Sequence, residues 1–231
     1  MNTFSVVLKT IPILIKGFIN SQLELRGSPH SLKNFIKEEQ LKEEFKLEKG
    51  WTFIDVGACW GLYTINASKQ VGKNGLVIAI EPHPESYCFL VFLKSLLRLR
   101  NVTTVNAALY SRNTNLKFYF GNKNALSSLK EEYDVGLGFS QVKAITFDNL
   151  MDYLGIDHVD AIKIDVEGAE IDVLEGMTKA FKSCKYITFE IHGQPSIREK
   201  RAQKIINTLN YEGFQVSRFG ANDKHIMGVK L

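Results

Sequence analysis

The chain has 231 residues, 45% hydrophobic and 23% charged, with a formal net charge of +4 at pH 7. That suits an ordinary globular protein with one α/β domain and an elaboration, and the mild charge comes without a basic block that would call for a nucleic-acid partner. Three cysteines, Cys59, Cys88 and Cys184, form no CxxC, which excludes a disulfide framework and points to a reducing, cytoplasmic setting.

Residues 1–50 read as an N-terminal helical extension, and residues 51–231 as the main domain. Within the extension, "FSVVLKTIPILIKGFIN" (4–20) is apolar, but Lys9 and Lys16 interrupt it and Pro12 kinks it. It is too short and too charged to span a membrane. Ser5, Lys9, Lys16 and Asn20 form a narrow polar stripe. The segment reads either as a helix packed on the domain, as a lid or dimer contact, or as an interfacial helix making peripheral membrane contact. "LELRG" follows as a short strand, then a charged helical stretch, "NFIKEEQLKEEFKLEKG".

The main domain opens with a strand at about 52–57 and a helix at about 61–70. "GLVIAIEP" gives a strand at about 76–81, and Pro84 opens the next helix, since proline suits a first turn. "VTTVNAAL" (102–109) reads as a third strand. From about 111 to 141 helical periodicity is lost, and short β-like runs such as "LKFYF" alternate with Asn, Ser and Gly. This predicts an inserted hairpin region. "HVDAIKIDVEG" is a strand ending in acids, "AEIDVLEGM" a helix and "YITFEIHG" another strand. A helix over "SIREKRAQKIINTLNYEG" should bury Ala202, Ile205, Ile206 and Leu209. "FQVSRFGANDKHIMGVKL" closes the chain as a hairpin. Cys88 and Cys184 are expected as core thiols.

Strands alternating with helices predict a mostly parallel, doubly wound sheet with an antiparallel C-terminal edge. Ligands on such sheets bind beyond the carboxyl ends of the strands. The residues at those ends are Asp55, Glu81, Asn106, Asp165 with Glu167, and Glu190 with His192. Gly57 permits a sharp turn after the first strand, and Gly61 a close approach of helix and strand. The dinucleotide pattern GxGxxG is absent, and Asp55 beside a helix N-terminus would repel a pyrophosphate. Asp55 instead fits a ligand with an amine or other cation. Glu81 can take both hydroxyls of a ribose. Together they suit S-adenosylmethionine.

"FIDVGACWGLYT", "VIAIEPHP", "NAAL", "ITFDNL", "IKIDVEGAEIDVLEG" and "FEIHG", in that order over about residues 50–193, resemble the FkbM family of S-adenosylmethionine-dependent methyltransferases. Cys59-Trp60 departs from the polar residue and smaller residue expected there. The resemblance implies a seven-stranded class I methyltransferase sheet, Rossmann-like, and methyl transfer to a hydroxyl of a sugar or small metabolite. It places Asp55, Gly57 and Gly61 at the methionine end of the cofactor, Glu81 at the ribose, and Asn106 and Ala107 near the adenine. Asp165 joins the cofactor set. Asn106 is equally readable as a strand-terminating turn residue.

Alternation puts Asp165 and Glu167 on one face of an extended segment, and Glu190 and His192 share that spacing on the next strand. A hydroxyl acceptor needs its proton taken. His192 is the expected general base, with Asp165 and Glu167 positioning the acceptor hydroxyl; either acid could serve instead if burial raised its pKa. Some of these acids could also cap helices or bind backbone amides, Glu170 first among them. An oxygen-rich site with one imidazole can hold magnesium or manganese, but amides after Gly168 can satisfy an acid, and no metal is assigned. The loop "DVEG" lacks the Pro-Pro-aromatic pattern of amino-methyltransferases and the cysteine of pyrimidine C5 chemistry. Ser127 and Ser128 read as a turn or as acceptor contacts. A nicotinamide oxidoreductase and a non-catalytic binding module remain the competing readings. The sequence does not specify an oligomeric state.

Overall fold

The computed structural model describes residues 47–121, 127–130 and 137–230. The predicted extension, with its apolar segment 4–20 and its "LELRG" strand, lies outside the described residues. The elements in chain order are β1 (Thr52–Val56), α1 (Leu62–Val71), β2 (Leu76–Ile80), α2 (Pro84–Leu96), β3 (Val102–Val105), β4 (Ala108–Leu109), β5 (Thr114–Tyr119), β6 (Phe139–Ile145), α3 (Phe147–Leu154), β7 (Ala161–Ile164), α4 (Glu170–Glu175), α5 (Ala180–Ser183), β8 (Tyr186–Glu190), α6 (Pro195–Tyr211), β9 (Gln215–Phe219) and β10 (His225–Val229).

Seven strands form one sheet in the order β3-β2-β1-β7-β8-β10-β9. The first five run parallel, and β10 pairs antiparallel with both β8 and β9. The strand order reverses between β1 and β7, which makes their carboxyl ends the switch point where a ligand crevice forms.

Helices cover both faces, so the central strands are continuously apolar. Ile54, Val56, Ile78, Ile80, Ile162 and Ile164 point to one face, where α3 to α6 pack. Phe53, Val77, Ala79 and Ala161 point to the other, against Ala67 and Val71 of α1 and Leu90 of α2. Full burial of each such side chain stabilises by about 1.5–3 kcal/mol. The period of two also decides where the polar residues go: Asp55 follows Phe53, and Lys163 follows Ala161, onto the α1 face. The register then sets Asp55 beside Lys163 on adjacent strands.

Four sequence expectations change. "VTTVNAAL" is two strands, because β3 ends at Val105 and β4 leaves for a second sheet. The inserted region is more than a hairpin: β4-β6-β5 form a three-stranded sheet with its own core of Ala108, Phe118, Val142 and Ala144. On α6, Ala202, Ile205 and Leu209 are buried as the spacing requires, while Ile206 is half-buried. Cys184 is buried, but Cys88 is exposed: α2 turns Ser86, Leu90 and Leu93 inward, and Cys88 lies off that stripe. Among the described residues no helix is long and apolar enough to cross a membrane.

The thiols should therefore react in order. Burial pushes the Cys184 thiol up to about 12, so a thiol reagent should label Cys88 promptly, half-buried Cys59 slowly, and Cys184 only on unfolding. Peptide mapping of the labelled sites checks this; prompt labelling of Cys184 in the native protein would contradict the packing.

Candidate functional site

The site has two halves, one on each side of the switch point. The first is built at the ends of β1, β2 and β3. Gly57 has φ 78°, and a Cβ there would lie 1.8 Å from the Asp165 carbonyl oxygen. Glycine is thus required where the loop after β1 crosses the end of β7. The Gly57 and Ala58 amides both donate to the Ile80 carbonyl at 3.0 Å. Gly61, at φ 82°, precedes α1, and a Cβ there would meet Leu90 Cδ1 at 2.5 Å.

Glu81 closes β2. Its Oε2 accepts from the Cys59 amide and its Oε1 from the His83 amide, each at 2.7 Å. Burial pushes its carboxyl up to about 7 against the lowering effect of those two amides. Asn106 Nδ2 donates to the Glu81 carbonyl at 2.9 Å, and Ala107 is buried beside it. Gly57, Gly61, Glu81, Asn106 and Ala107 thus lie around one group of strand ends.

Asp55 differs. It is 0% exposed, because alternation sends its side chain beneath the loop toward α1. Its Oδ2 accepts from the Thr64 hydroxyl at 2.7 Å, and its Oδ1 faces Lys163 Nζ at 3.7 Å. Burial raises its pKa, with Lys163 opposing. In this conformation Asp55 supports the glycine loop from below and does not present a carboxylate at its surface. Lys163 Nζ also lies 3.3 Å from Asp165 Oδ2 and 4.6 Å from the Tyr63 ring centroid. The lysine joins the two halves.

The second half is built at the ends of β7 and β8. The predicted convergence occurs by another route. β7 ends at Ile164, and Glu167 takes a left-handed backbone at φ 49°, so "DVEG" is a tight turn and not an extended strand. The turn brings Asp165 and Glu167 to the same point. His192 Nε2 lies 3.7 Å from Asp165 Oδ1, 3.6 Å from Glu167 Oε1 and 3.6 Å from Glu190 Oε1. Its Nδ1 lies 3.0 Å from Glu170 Oε1. That oxygen also accepts from the Gly168 amide at 2.9 Å and the His192 amide at 3.3 Å. Arg201 of α6 donates to the His192 carbonyl at 2.6 Å. Ser128 donates its hydroxyl to the Glu167 carbonyl at 2.5 Å, and Ser127 Oγ accepts from the Gly121 amide at 3.1 Å.

These contacts set the charges. Burial alone would push the His192 imidazole down, but the contacts with Glu170 and Glu190 and the charges of Asp165 and Glu167 raise it to about 11. That direction favours the imidazolium, a proton donor, over the neutral base expected of His192. Burial pushes the Glu167 carboxyl up to about 8; Asp165, Glu190 and Glu170 add to the rise while His192 opposes it. Glu190 is held low by His192 despite its burial. Asp165, Glu190 and His192 offer one donor atom each within 4.8 Å of one another, a spacing that would admit a cation.

Three members were not legible as site residues. Glu170 reads in sequence as a helix first-turn acid, and Arg201 carries no local signal. Lys163 left one signal, a lone lysine in the apolar run "AIKI".

A doubly wound sheet with a glycine turn after β1, an acid after β2 and a charged cluster across the switch point defines an α/β protein with a ligand crevice at its strand ends. Residues 55–216 match the family model described as the methyltransferase FkbM domain, and the chain belongs to that family of methyltransferases. It is 28% identical over 205 residues to the hexuronic acid methyltransferase AglP of Haloferax volcanii, covering 89% of this chain and 78% of that protein. It shares a fold with the methyltransferase FkbM of Methylobacillus flagellatus KT at 14% identity and a TM-score of 0.57, over 82% of this chain but 46% of that one. This chain thus spans about half the length of that structure. Fibrillarin of Aeropyrum pernix, solved with natively bound S-adenosyl-L-methionine, shares the fold at 15% identity and a TM-score of 0.52, over 86% and 74% of the two chains.

Lys163→Met should strand the Asp55 carboxylate. Removing one partner of a buried ion pair costs about 3–5 kcal/mol, and thermal unfolding should show a clear fall in Tm. Adding Asp55→Asn should recover part of the loss. An unchanged Tm in the single variant would show that Lys163 does not balance Asp55.

Proposed function

We propose that this methyltransferase transfers a methyl group from S-adenosylmethionine to a hydroxyl of a sugar or small metabolite, with a glycan bearing a hexuronic acid as the leading acceptor class. The observation that carries the reading is the meeting of the two halves, where Gly57 touches the Asp165 carbonyl. A cofactor at the β1–β2 loops would lie next to the proton-handling cluster.

The cofactor supplies a methyl group made electrophilic by its sulfonium. Gly57 and Gly61 leave room for its methionine end, and Asp55 with Thr64 holds that loop from beneath. Glu81, aligned by two amides, would take the ribose hydroxyls, and Asn106 and Ala107 would hold the adenine. Asp165 lies between the halves and orients both partners. During methyl transfer Glu167 would take the proton that the acceptor hydroxyl loses. A base near the operating pH is the efficient one. The His192 imidazolium offsets the negative charge around that base. Holding the two reactants in line supplies roughly 7–11 kcal/mol of the acceleration.

A hydroxyl suits this site better than the carboxylate of the same sugar. A hydroxyl acceptor must lose a proton, and the Glu167 carboxyl, raised to about 8, is a group that can take it; a carboxylate acceptor would leave that group without a role. The hexuronic acid link is taken from the Haloferax relative.

Glu81→Ala should weaken S-adenosylhomocysteine binding by about 1.5–3 kcal/mol through lost charge-assisted hydrogen bonds, as read by calorimetry; unchanged affinity would remove Glu81 from the cofactor site.

Glu167→Gln should lower turnover roughly 10²–10⁴-fold with cofactor affinity intact. The base must be ionised and its pKa is raised, so wild-type turnover should rise with pH up to about 8. The variant should lose that limb, and a variant with wild-type rate and profile would shift the base role elsewhere.

A further inference from the structure

The carboxylate that organises the catalytic half is one that would not itself meet the acceptor. Glu170 is 0% exposed and sits at the first position of α4, after an N-cap residue, Ala169, with no capping side chain. Its Oε1 collects three donors: the Gly168 amide at 2.9 Å, the His192 amide at 3.3 Å and His192 Nδ1 at 3.0 Å. Gly168 belongs to the turn after β7, and His192 to the segment after β8. One oxygen therefore pins together the two strand ends that carry Asp165, Glu167 and Glu190. The other oxygen, Oε2, has no hydrogen-bond partner among the described residues and faces Arg201 Nη1 at 3.9 Å. Arg201 in turn donates to the His192 carbonyl at 2.6 Å.

We propose that Glu170 is a positioning residue for methyl transfer: it takes the Nδ1 proton of His192 in a hydrogen bond and so aims Nε2 at Asp165, Glu167 and Glu190. The proposal rests on the methyl-transfer reading of the cluster and adds a member to it.

The mechanism is that of a buried carboxylate behind a histidine. With Nδ1 held, the ring has one orientation, and its second nitrogen faces the reacting side. Every charged group around the imidazole then acts on a ring of fixed position. Asp165 and Glu167 approach from the β7 turn, Glu190 from β8, Glu170 from α4 and Arg201 from α6; His225 pairs with Glu190 across β10 and β8, and Lys163 lies 3.3 Å from Asp165.

A helix cap alone would ask less of this residue. Glutamine can accept from the Gly168 and His192 amides as glutamate does, since both bonds need only a carbonyl-type oxygen. What glutamine cannot supply is the negative charge opposite Nδ1–H. Glu170→Gln therefore separates the two roles.

The experiment is a double-mutant cycle on the full chain: wild type, Glu170→Gln, His192→Ala and both together. Methyl transfer from S-adenosylmethionine to a uronic-acid oligosaccharide is measured alongside S-adenosylhomocysteine affinity and histidine ¹⁵N NMR titrations. The expected result is that Glu170→Gln lowers kcat at least tenfold and leaves cofactor affinity unchanged. The His192 imidazole should titrate at lower pH in that variant, and the substitution should cost nothing further once His192 is alanine. A folded Glu170→Gln protein with unchanged kcat and His192 titration would overturn the proposal. So would an equal cost in both His192 backgrounds, which marks a structural effect. Wild-type NMR gives a test that needs no variant: His192 Nδ1–H should be protected from solvent exchange, and an unprotected Nδ1 would also overturn it. If His192→Ala keeps full turnover, the methyl-transfer reading of the cluster fails. If it is impaired while Glu170→Gln is not, the positioning role alone falls.

Discussion

Carboxylates brought this close cannot all ionise unless a positive charge stands among them, and His192 supplies that charge. Like charges at such separations in a half-buried cleft repel, and burial adds to the cost of ionising them. Here the shifts run in opposite directions: His192 up to about 11, Glu190 down, and Glu167 up to about 8. The cluster thus distributes its protons unevenly, which leaves one carboxyl able to gain or lose a proton near neutral pH. The left-handed turn at Glu167 and the Arg201 contact with the His192 carbonyl serve this arrangement. Without the turn, Glu167 would continue along β7 and would not reach Nε2.

The other half depends on the same sheet through a different contact. Gly57 and Asp165 come so close that only a glycine fits. Register sets Lys163 between Asp55 and Asp165, one carboxylate in each half. A buried lysine with no acid beside it would be costly; between two acids it becomes a bridge from the floor of one half to the rim of the other. Ser128, bridged to Tyr119 at the end of β5, links the second sheet to the site by donating its hydroxyl to the Glu167 carbonyl.

Most of the main sheet was legible from period and burial. Parallel strands covered on both faces leave continuous apolar runs, and "FIDV", "VIAI" and "AIKI" are such runs. The strand-end acids were legible because a run that ends on a carboxylate has little packing reason to do so. Side-chain direction was less legible. Asp55 sits where the sequence puts it along the strand, but the face it takes depends on which helix covers it. The i, i+2 spacing of Asp165 and Glu167 predicted the right meeting by the wrong geometry, since a left-handed residue does not announce itself at a glutamate. The role of Glu170 depends on β8 lying beside β7, a tertiary fact no local pattern carries. Cys88 shows the same limit on α2, where an apolar-looking helix buries one stripe and wets the rest.

A hexuronic acid offers both hydroxyls and a carboxylate as methyl acceptors. The proposed acceptor is a neutral hydroxyl that must lose a proton, the role proposed for Glu167. The direct measurement uses S-adenosylmethionine labelled with ¹³C in its methyl group and a uronic-acid oligosaccharide, followed by ¹³C NMR of the product before and after mild alkali. The account predicts a methyl ether on a sugar hydroxyl that survives alkali. A methyl ester on the carboxylate, released by alkali, would contradict it.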